Sequence, residues 1–223
     1  MEPSPLNLRP ALAALAAAAL MSTSAEAAQI FRQTFTNGLG ANESVGGRFA
    51  VKDGQAGNVN GSKNYDYSWY QLVLDLTDYT DATMTFDYDI LSEYRYDGFN
   101  VVAATGEVDP PNGLLVPTTP GFYGPMGNSL SKLGPTALSG DQRGSVAFDL
   151  TQFAGQAVTL RFQYQSDYFA FNRGVIFDNI LVTGTRAAGA VPEPATWAML
   201  LIGFFGSGAL LRQSRRRYAL TGH

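Results

Sequence analysis

The chain contains no cysteine, and its single histidine is the last residue, His223. The absence of cysteine excludes disulfides, thiolate metal sites and a cysteine nucleophile. Without an internal histidine, the body of the protein has no serine-histidine triad, histidine general base or histidine-ligated zinc or iron. Any acid-base chemistry would have to use carboxylates.

Charged residues are also scarce, at 15% of the 223, whereas there are 24 glycines, 11 prolines and 12% aromatic residues. This balance is poor in helix surface and rich in strands and turns, which argues against a helical bundle and against disorder. Between the two terminal segments described below, about 160 residues remain, enough for one ordinary domain.

The charge is unevenly distributed. Residues 28–190 carry 16 acidic and 10 basic side chains, whereas the tail from Val191 carries Glu193 against four arginines. Because an acidic body does not neutralise phosphates, we expect no nucleic-acid partner. The basic cluster directly follows an apolar run, where membrane topology explains it.

The N-terminal segment predicts export. Ala11–Met21 is an apolar run of alanine, leucine and methionine that is too short to span a bilayer and is typical of a signal peptide. Ala25 and Ala27 are the small residues that a signal peptidase reads, so residues 1–27 are predicted to be a signal peptide cleaved after Ala27. An uncleaved N-terminal anchor is the alternative.

The C-terminal segment predicts one membrane crossing. Residues 195–211 are uncharged and would form a helix of roughly 25 Å, adequate for a thin bilayer. The tail 212–223 is basic, and the positive-inside rule places it in the cytoplasm and the body outside. The arginines that stop transfer are Arg212, Arg215, Arg216 and Arg217. The alternative is a buried C-terminal helix of a soluble domain.

A proline motif precedes this helix, within a predicted linker at residues 187–194. Pro192, Glu193 and Pro194 are followed by Trp197-Ala198-Met199, the apolar run and the closing arginines. In this order they resemble the PEP-CTERM sorting signal of Gram-negative bacteria. The flanking prolines keep the segment extended, as a protease substrate requires. A plain membrane-proximal proline linker is the alternative.

The resemblance implies a processing route. It implies recognition by an exosortase, a membrane cysteine transpeptidase-like enzyme, after a signal peptidase has removed the leader. The protein would sit in the inner membrane with its body in the periplasm, and would then reach the cell surface or an exopolysaccharide matrix.

The sequence of the body, residues 28–186, predicts an all-β fold. Residues 83–90 and 158–165 alternate apolar and polar side chains, as half-buried antiparallel strands require. Both segments contain the pattern Thr-[Met/Leu]-x-Phe-x-Tyr, and similar residues precede it in each. This repetition indicates corresponding strands of two packed sheets. Further strands are predicted at residues 30–35, 48–52, 70–74, 99–103, 145–150 and 175–182. Short strands with glycine-rich connections favour an antiparallel β-sandwich, specifically a jelly roll.

A second resemblance concerns this body. Residues 149–162, Ser166-Asp167 and residues 174–182 are similar to the last strands of choice-of-anchor and MAM-like jelly-roll modules, and Tyr96-Asp97-Gly98-Phe99 is similar to their middle strand. Such modules are accessory and binding domains. From Thr105 to Gly144 no periodicity is sustained, which predicts a long loop that either covers a sheet edge, with Phe122 inward, or presents Tyr123 to a sugar.

Two groups of aspartates are candidates for chemistry. Jelly rolls of this kind often carry a structural calcium, and Asp97, Asp167 and Asp178 are the candidate ligands. The alternative is solvated or turn-capping aspartates. Asp87 and Asp89 share a strand face and form either a carboxylate pair or a solvated exterior.

Aromatic residues are the candidates for ligand binding, because rings beside polar groups suit sugar stacking. The candidate residues are Tyr65, Tyr67, Trp69, Tyr94, Tyr96 and Tyr123. Ordinary cross-strand packing is the alternative. The sequons at Asn42 and Asn60 are interpreted as turns.

Two functions follow. The first is a non-catalytic surface or matrix protein that binds extracellular polysaccharide or another envelope component. It requires no cofactor, and the structural calcium is a candidate addition. The second is a glycoside hydrolase or polysaccharide lyase that uses carboxylates on a jelly roll. The absence of histidine favours the first.

Overall fold

The computed structural model describes residues 27–169, 172–187, 199 and 201–205. The signal-peptide run, the proline motif at 192–194 and the terminal arginines lie outside the described residues, as does most of the apolar run at 195–211. Within the described part, no helix is long and apolar enough to cross a membrane.

Twelve strands and one short 3₁₀ turn, Thr151–Phe153, make up the described body. The strands are β1 (Ala28–Gln33), β2 (Glu43–Gly46), β3 (Ala50–Lys52), β4 (Gln55–Gly57), β5 (Tyr67–Asp75), β6 (Thr83–Leu91), β7 (Gly98–Ala104), β8 (Gly124–Leu130), β9 (Gly134–Ala137), β10 (Asp141–Asp149), β11 (Ala157–Gln165) and β12 (Gly174–Gly184).

The fold is an antiparallel β-sandwich. One sheet has the order β10-β6-β12-β4-β3, with β1 also paired to β12, and the other has the order β2-β5-β11-β7. The long strands β5, β6, β7, β10, β11 and β12 alternate between the two sheets along the chain, which confirms the jelly-roll class.

The core lies between the sheets and is rich in aromatic rings. Phe86 of β6 and Phe162 of β11 meet across it, with their ring centres 4.9 Å apart. These are the equivalent phenylalanines of the repeated strand pattern. Each of the two strands has a neighbour on both sides, so the prediction that they are corresponding strands of the two sheets is confirmed.

The expectation of a long loop between Thr105 and Gly144 is wrong in part, because β8 and β9 form a hairpin there. β8 has no alternation, and the pairing is interrupted by an irregularity between Pro125 and Leu130. The hairpin has its own small cluster of Leu130, Leu133 and Ala137. Phe122 is buried, as the covering-loop alternative predicts. Asn42 and Asn60 lie in turns, as interpreted.

Candidate functional site

Loops converge at one end of the sandwich, called the loop end below and defined by residues 58–66, 92–97 and 166–169. The strand registers place Leu91 opposite Gly174 in one sheet, and Gln165 opposite both Tyr67 and Gly98 in the other. The three loops therefore leave the sheets at the same end. A backbone bond from Tyr65 N–H to the Asp167 carbonyl, 2.8 Å long, joins two of them.

A buried polar network fixes these loops. Asp66 accepts bonds from Asn58 Nδ2 at 3.0 Å and from Ser68 Oγ at 2.6 Å. Ser166 Oγ accepts the Asp66 N–H at 2.9 Å and donates to the Lys63 carbonyl at 2.6 Å. Because buried polar groups are costly to leave unpaired, this network holds the loop end in one conformation.

Three carboxylates meet at the loop end. Oxygens of Glu93, Asp97 and Asp167 lie within 4.8 Å of one another. Asp97 is fully buried; its Oδ1 accepts the Asp167 N–H at 2.9 Å, and its Oδ2 faces the Glu93 N–H and Tyr164 Oη, each at 3.4 Å. Hard oxygen donors from two loops are the ligands that Ca²⁺ prefers, so the donor set fits that ion.

The electrostatics of Asp97 agree with this fit. Burial raises the pKa of Asp97, and the nearby charges of Asp167 and Glu93 add to the increase, although the two backbone N–H groups lower it. No salt bridge to Asp97 is formed within the described residues. A cation bound here would offset the repulsion among the three carboxylates.

Asp178, the third candidate calcium ligand, lies apart from Asp97 and Asp167. Asp178 lies on β12, opposite Asp87 on β6, and it takes no part in the cluster at the loop end. Asp87 is hydrogen-bonded by Ser145 and, at 2.8 Å, by Asn179 Nδ2. Burial raises the pKa of Asp178, and the neighbouring Asp87 adds to this.

Asp87 and Asp89 do not act on a common partner. Arg173 forms a salt bridge with Asp89, whereas Asp87 is bound by the neutral side chains of Ser145 and Asn179. Both aspartates are therefore committed to contacts within the outer face of the sheet.

Exposed aromatic rings cover the loop end. The Tyr65 and Tyr168 ring centres are 5.7 Å apart, and those of Tyr168 and Phe169 are 4.6 Å apart. Their exposed fractions are 73%, 54% and 57% for Tyr65, Tyr168 and Phe169 respectively. Tyr65 also has a positive φ of 56°, which is uncommon outside glycine and is found at binding sites. The three rings are called the aromatic cluster below.

Two further candidate rings lie on the adjacent loop. Tyr94 and Tyr96 are both exposed, and Tyr94 borders an open cleft of about 160 Å³ that Phe122, Pro125 and Gln142 also line. They extend the exposed aromatic surface of the loop end.

The other candidate rings lie elsewhere. Tyr67 and Trp69 are half-buried on the outer face of the four-stranded sheet. Tyr123 is partly buried; its Oη accepts the Val101 N–H at 2.9 Å, and its ring packs on Phe122 with centres 4.8 Å apart. Burial raises the pKa of Tyr123. These contacts assign Tyr123 to the packing of the covering loop.

Sequence reasoning missed Glu93, Tyr168 and Phe169. Glu93 lies four residues before Asp97, a spacing with no metal-site signature. Tyr168 and Phe169 directly follow Asp167 at the end of β11, so an aromatic pair beside a candidate ligand was the signal available.

Comparison with known proteins identifies the C-terminal segment. Residues 190–217 match the PEP-CTERM protein-sorting motif. No curated protein matches the chain. This motif implies an exported protein that is processed at the membrane.

Several solved structures are similar in outline. The K3 cleaved adhesin domain of Lys-gingipain from Porphyromonas gingivalis W83 has 13% identity and a TM-score of 0.43, over 70% of this chain and 100% of that chain. The CBM22-1 xylan-binding domain from Paenibacillus barcinonensis Xyn10C has 12% identity and a TM-score of 0.36, over 73% and 97%. The mannan-recognising module TmCBM27 has 11% identity and a TM-score of 0.33, over 72% and 99%. At these scores the similarities carry no argument about function.

Proposed function

We propose that the protein is a non-catalytic surface or extracellular-matrix protein whose loop end binds extracellular polysaccharide. The aromatic cluster is the observation that supports this proposal. Contiguous exposed apolar surface marks interaction sites, and aromatic rings with polar tips suit a ligand that has apolar faces and hydroxyl edges. The buried network of Asp66 and Ser166 orders the loops before binding, which lowers the entropic cost.

The proposed processing order agrees with the sorting motif. A signal peptidase removes residues 1–27, the segment 195–211 holds the protein in the inner membrane with its body in the periplasm, and an exosortase then acts near Pro192 to Pro194. The mature protein goes to the surface or to the polysaccharide matrix.

The acidic groups favour binding over catalysis. In the cluster of Glu93, Asp97 and Asp167, one oxygen from each residue lies within 4.8 Å of the others, and Asp97 is fully buried, away from any substrate. This arrangement suits a cation site better than an acid-base pair.

Removal of rings from the aromatic cluster should weaken polysaccharide binding. Each buried ring contributes about 1.5–3 kcal/mol, so Tyr65→Ala and Tyr168→Ala should each raise Kd for the host polysaccharide by roughly 10- to 150-fold. Calorimetry with the full chain in detergent measures this. Val116→Ala, at a site 78% exposed, is the control and should leave Kd unchanged. Equal Kd values for the wild type and all variants would contradict the proposed binding site. In a separate assay, release of reducing sugar or of unsaturated products from the polysaccharide would favour the enzyme alternative.

We also propose that Glu93, Asp97 and Asp167 bind a structural calcium. A ligand that binds only the native state at a hundredfold excess over Kd stabilises it by about 2.7 kcal/mol, which for this size of domain raises Tm by roughly 5–11 °C. Thermal unfolding in chelator and in millimolar calcium should show this increase for the wild type and none for Asp97→Asn. Asp178→Asn is the matched control and should respond as the wild type does. If calcium does not shift the midpoint of thermal unfolding of the wild type, the calcium proposal is wrong.

A further inference from the structure

The outer face of the four-stranded sheet carries a strip of cationic and aromatic side chains. The hairpin of β8 and β9 covers the β7 side of this face, because Asn100 Nδ2 donates to the Leu133 carbonyl at 2.9 Å and Gln163 Nε2 to the Lys132 carbonyl at 2.8 Å. The rest of the face stays partly exposed along β5 and at Arg161 of β11. Tyr67, Trp69, Gln71 and Arg161 of this part, with Lys132 of the hairpin, are called the cationic strip.

Arg161 is held at the centre of the strip. Its Cζ lies 4.9 Å from the centre of the Trp69 ring, and its Nε and Nη2 both donate to Gln71 Oε1, at 3.1 and 2.6 Å. This bidentate contact uses two of the five N–H groups of the guanidinium. The side chain is half-buried, so its position is fixed before any ligand arrives.

Lys132 provides the second charge. Its Nζ lies 5.9 Å from the centre of the Tyr67 ring, and Tyr67 Oη donates to Gln163 Oε1 at 3.0 Å. The backbone N–H of Lys132 donates to Gln165 Oε1 at 2.9 Å, which ties the hairpin to β11. The two cations therefore stand over adjacent rings of one strand face.

Trp69 forms a flat floor for the strip. Its indole lies on Gly46 of β2, where an added β-carbon would come within 2.4 Å of Cε2. Glycine at this position lets the ring lie flat against the sheet. The ring thus packs between Gly46 and the Arg161 guanidinium, which helps to fix the position of that cation.

Carboxylates do not neutralise the strip. Among the described residues, Arg173 and Asp89 form a salt bridge beside the other sheet, and Arg161 and Lys132 form none. Glu43 of the neighbouring β2 accepts from Tyr70 Oη at 2.5 Å, and Asp75 at the far end of β5 accepts from Thr77. A protein body with 16 acidic and 10 basic residues thus keeps two cations together without an acidic partner.

We propose that the cationic strip binds an anionic polysaccharide, one whose sugar units carry carboxylate groups. The guanidinium and the Lys132 ammonium would pair with carboxylates, and the Gln71 and Gln165 amides would meet hydroxyls. This inference goes beyond the proposed function, because it assigns a class of polysaccharide to a surface separate from the aromatic cluster.

Binding of the full chain in detergent to immobilised polygalacturonate, dextran sulfate and neutral dextran tests the proposal. The wild type should bind polygalacturonate at least tenfold more tightly than neutral dextran at low salt, and the difference should shrink as salt screens the charges. Arg161→Gln and Lys132→Gln should each weaken polygalacturonate binding severalfold. Arg143→Gln, an equal charge change at an exposed residue of β10, is the control and should not.

The readouts distinguish this site from the loop end. On a Trp197→Phe background, Trp69 is the single tryptophan, and its fluorescence should change with polygalacturonate. Tighter binding to dextran sulfate than to polygalacturonate would overturn the proposed ligand class, because it would indicate a sulfated rather than a carboxylated polysaccharide. Equal binding to all three polymers would contradict the cationic strip as a binding site. An equal loss of polygalacturonate binding in Arg143→Gln would contradict it as well. Host-polysaccharide binding that stays unchanged in a Tyr65→Ala, Tyr168→Ala variant, while Arg161→Gln still weakens polygalacturonate binding, would overturn the proposed function alone.

Discussion

Deletion of the host's exosortase is expected to leave this protein in a larger form that stays in the membrane. Residues 190–217 match the sorting motif, and removal of the chain after Pro194 would separate the body from the apolar run and its arginines. Without that cut the apolar run remains attached, and its transfer free energy holds the protein in the bilayer. Immunoblots of membrane and surface fractions from both strains measure the size and the location.

A variant in the unmodified host provides the matched test. Alanine at Pro192, Glu193 and Pro194 together should give the same retained form, whereas Tyr218→Ala, just beyond the matched residues, should be processed normally. Identical size and location with and without the enzyme would refute the sorting hypothesis.

The geometry of the body limits where that cut takes place. Ala187 N–H donates to the Asp78 carbonyl at 2.8 Å, and the Arg186 guanidinium lies 5.8 Å from the Tyr79 ring centre, so the folded chain is fixed up to this point. Four residues separate Ala187 from Pro192, and this connection reaches roughly 17 Å at most. The proposed cut therefore lies within this distance of the surface formed by residues 78–81 and 184–187.

The same topology orients the ligand surfaces. Ala28 pairs with Gly184, so the chain enters and leaves the sandwich at one end. The loop end lies at the other end of β12, whose 11 residues span about 36 Å. In the proposed membrane-held form, the aromatic cluster is thus at the far end of the body from the C-terminal segment.

Much of the fold could be predicted because long half-buried strands carry a local signal. β6 and β11 alternate apolar and polar residues, and their equivalent phenylalanines meet in the core. Shorter strands such as β2 and β4 lack that signal, because three or four residues do not define a period. The half-buried pattern of β11 does not reveal that Thr159 and Gln163 on its polar face are buried; Gln163 lies under the hairpin, which comes from a distant part of the chain.

The candidate site was predictable in its residue types and less so in its partners. Asp97 and Asp167 come together as expected, because both loops leave the sheets at the same end. Which acid completes the set depends on strand order, and β12 carries Asp178 into the other sheet, opposite Asp87. A single sequence contains no information on such pairings when strands 70 or more residues apart become neighbours.

Phe162→Ala is expected to be the most destabilising single change in the body. The Phe162 ring is fully buried, with its centre 5.4, 4.9 and 5.2 Å from those of Tyr70, Phe86 and Phe177. Truncation of such a ring removes its transfer free energy and leaves a cavity between the sheets, a loss of about 3–5 kcal/mol. For a domain of this size the expected decrease in Tm is roughly 6–20 °C.

Phe169→Ala is the matched control, because it deletes the same atoms from a ring that is 57% exposed. An exposed substitution of this kind should change the free energy of unfolding by about 0.5 kcal/mol or less. Urea and thermal unfolding of both variants, followed by circular dichroism in the presence of calcium, give the comparison. Since Phe162 contacts rings from both sheets, its loss separates the layers, whereas loss of Phe169 removes surface available to a ligand. Equal shifts for the two variants would mean that the sheets are not held together by this aromatic core.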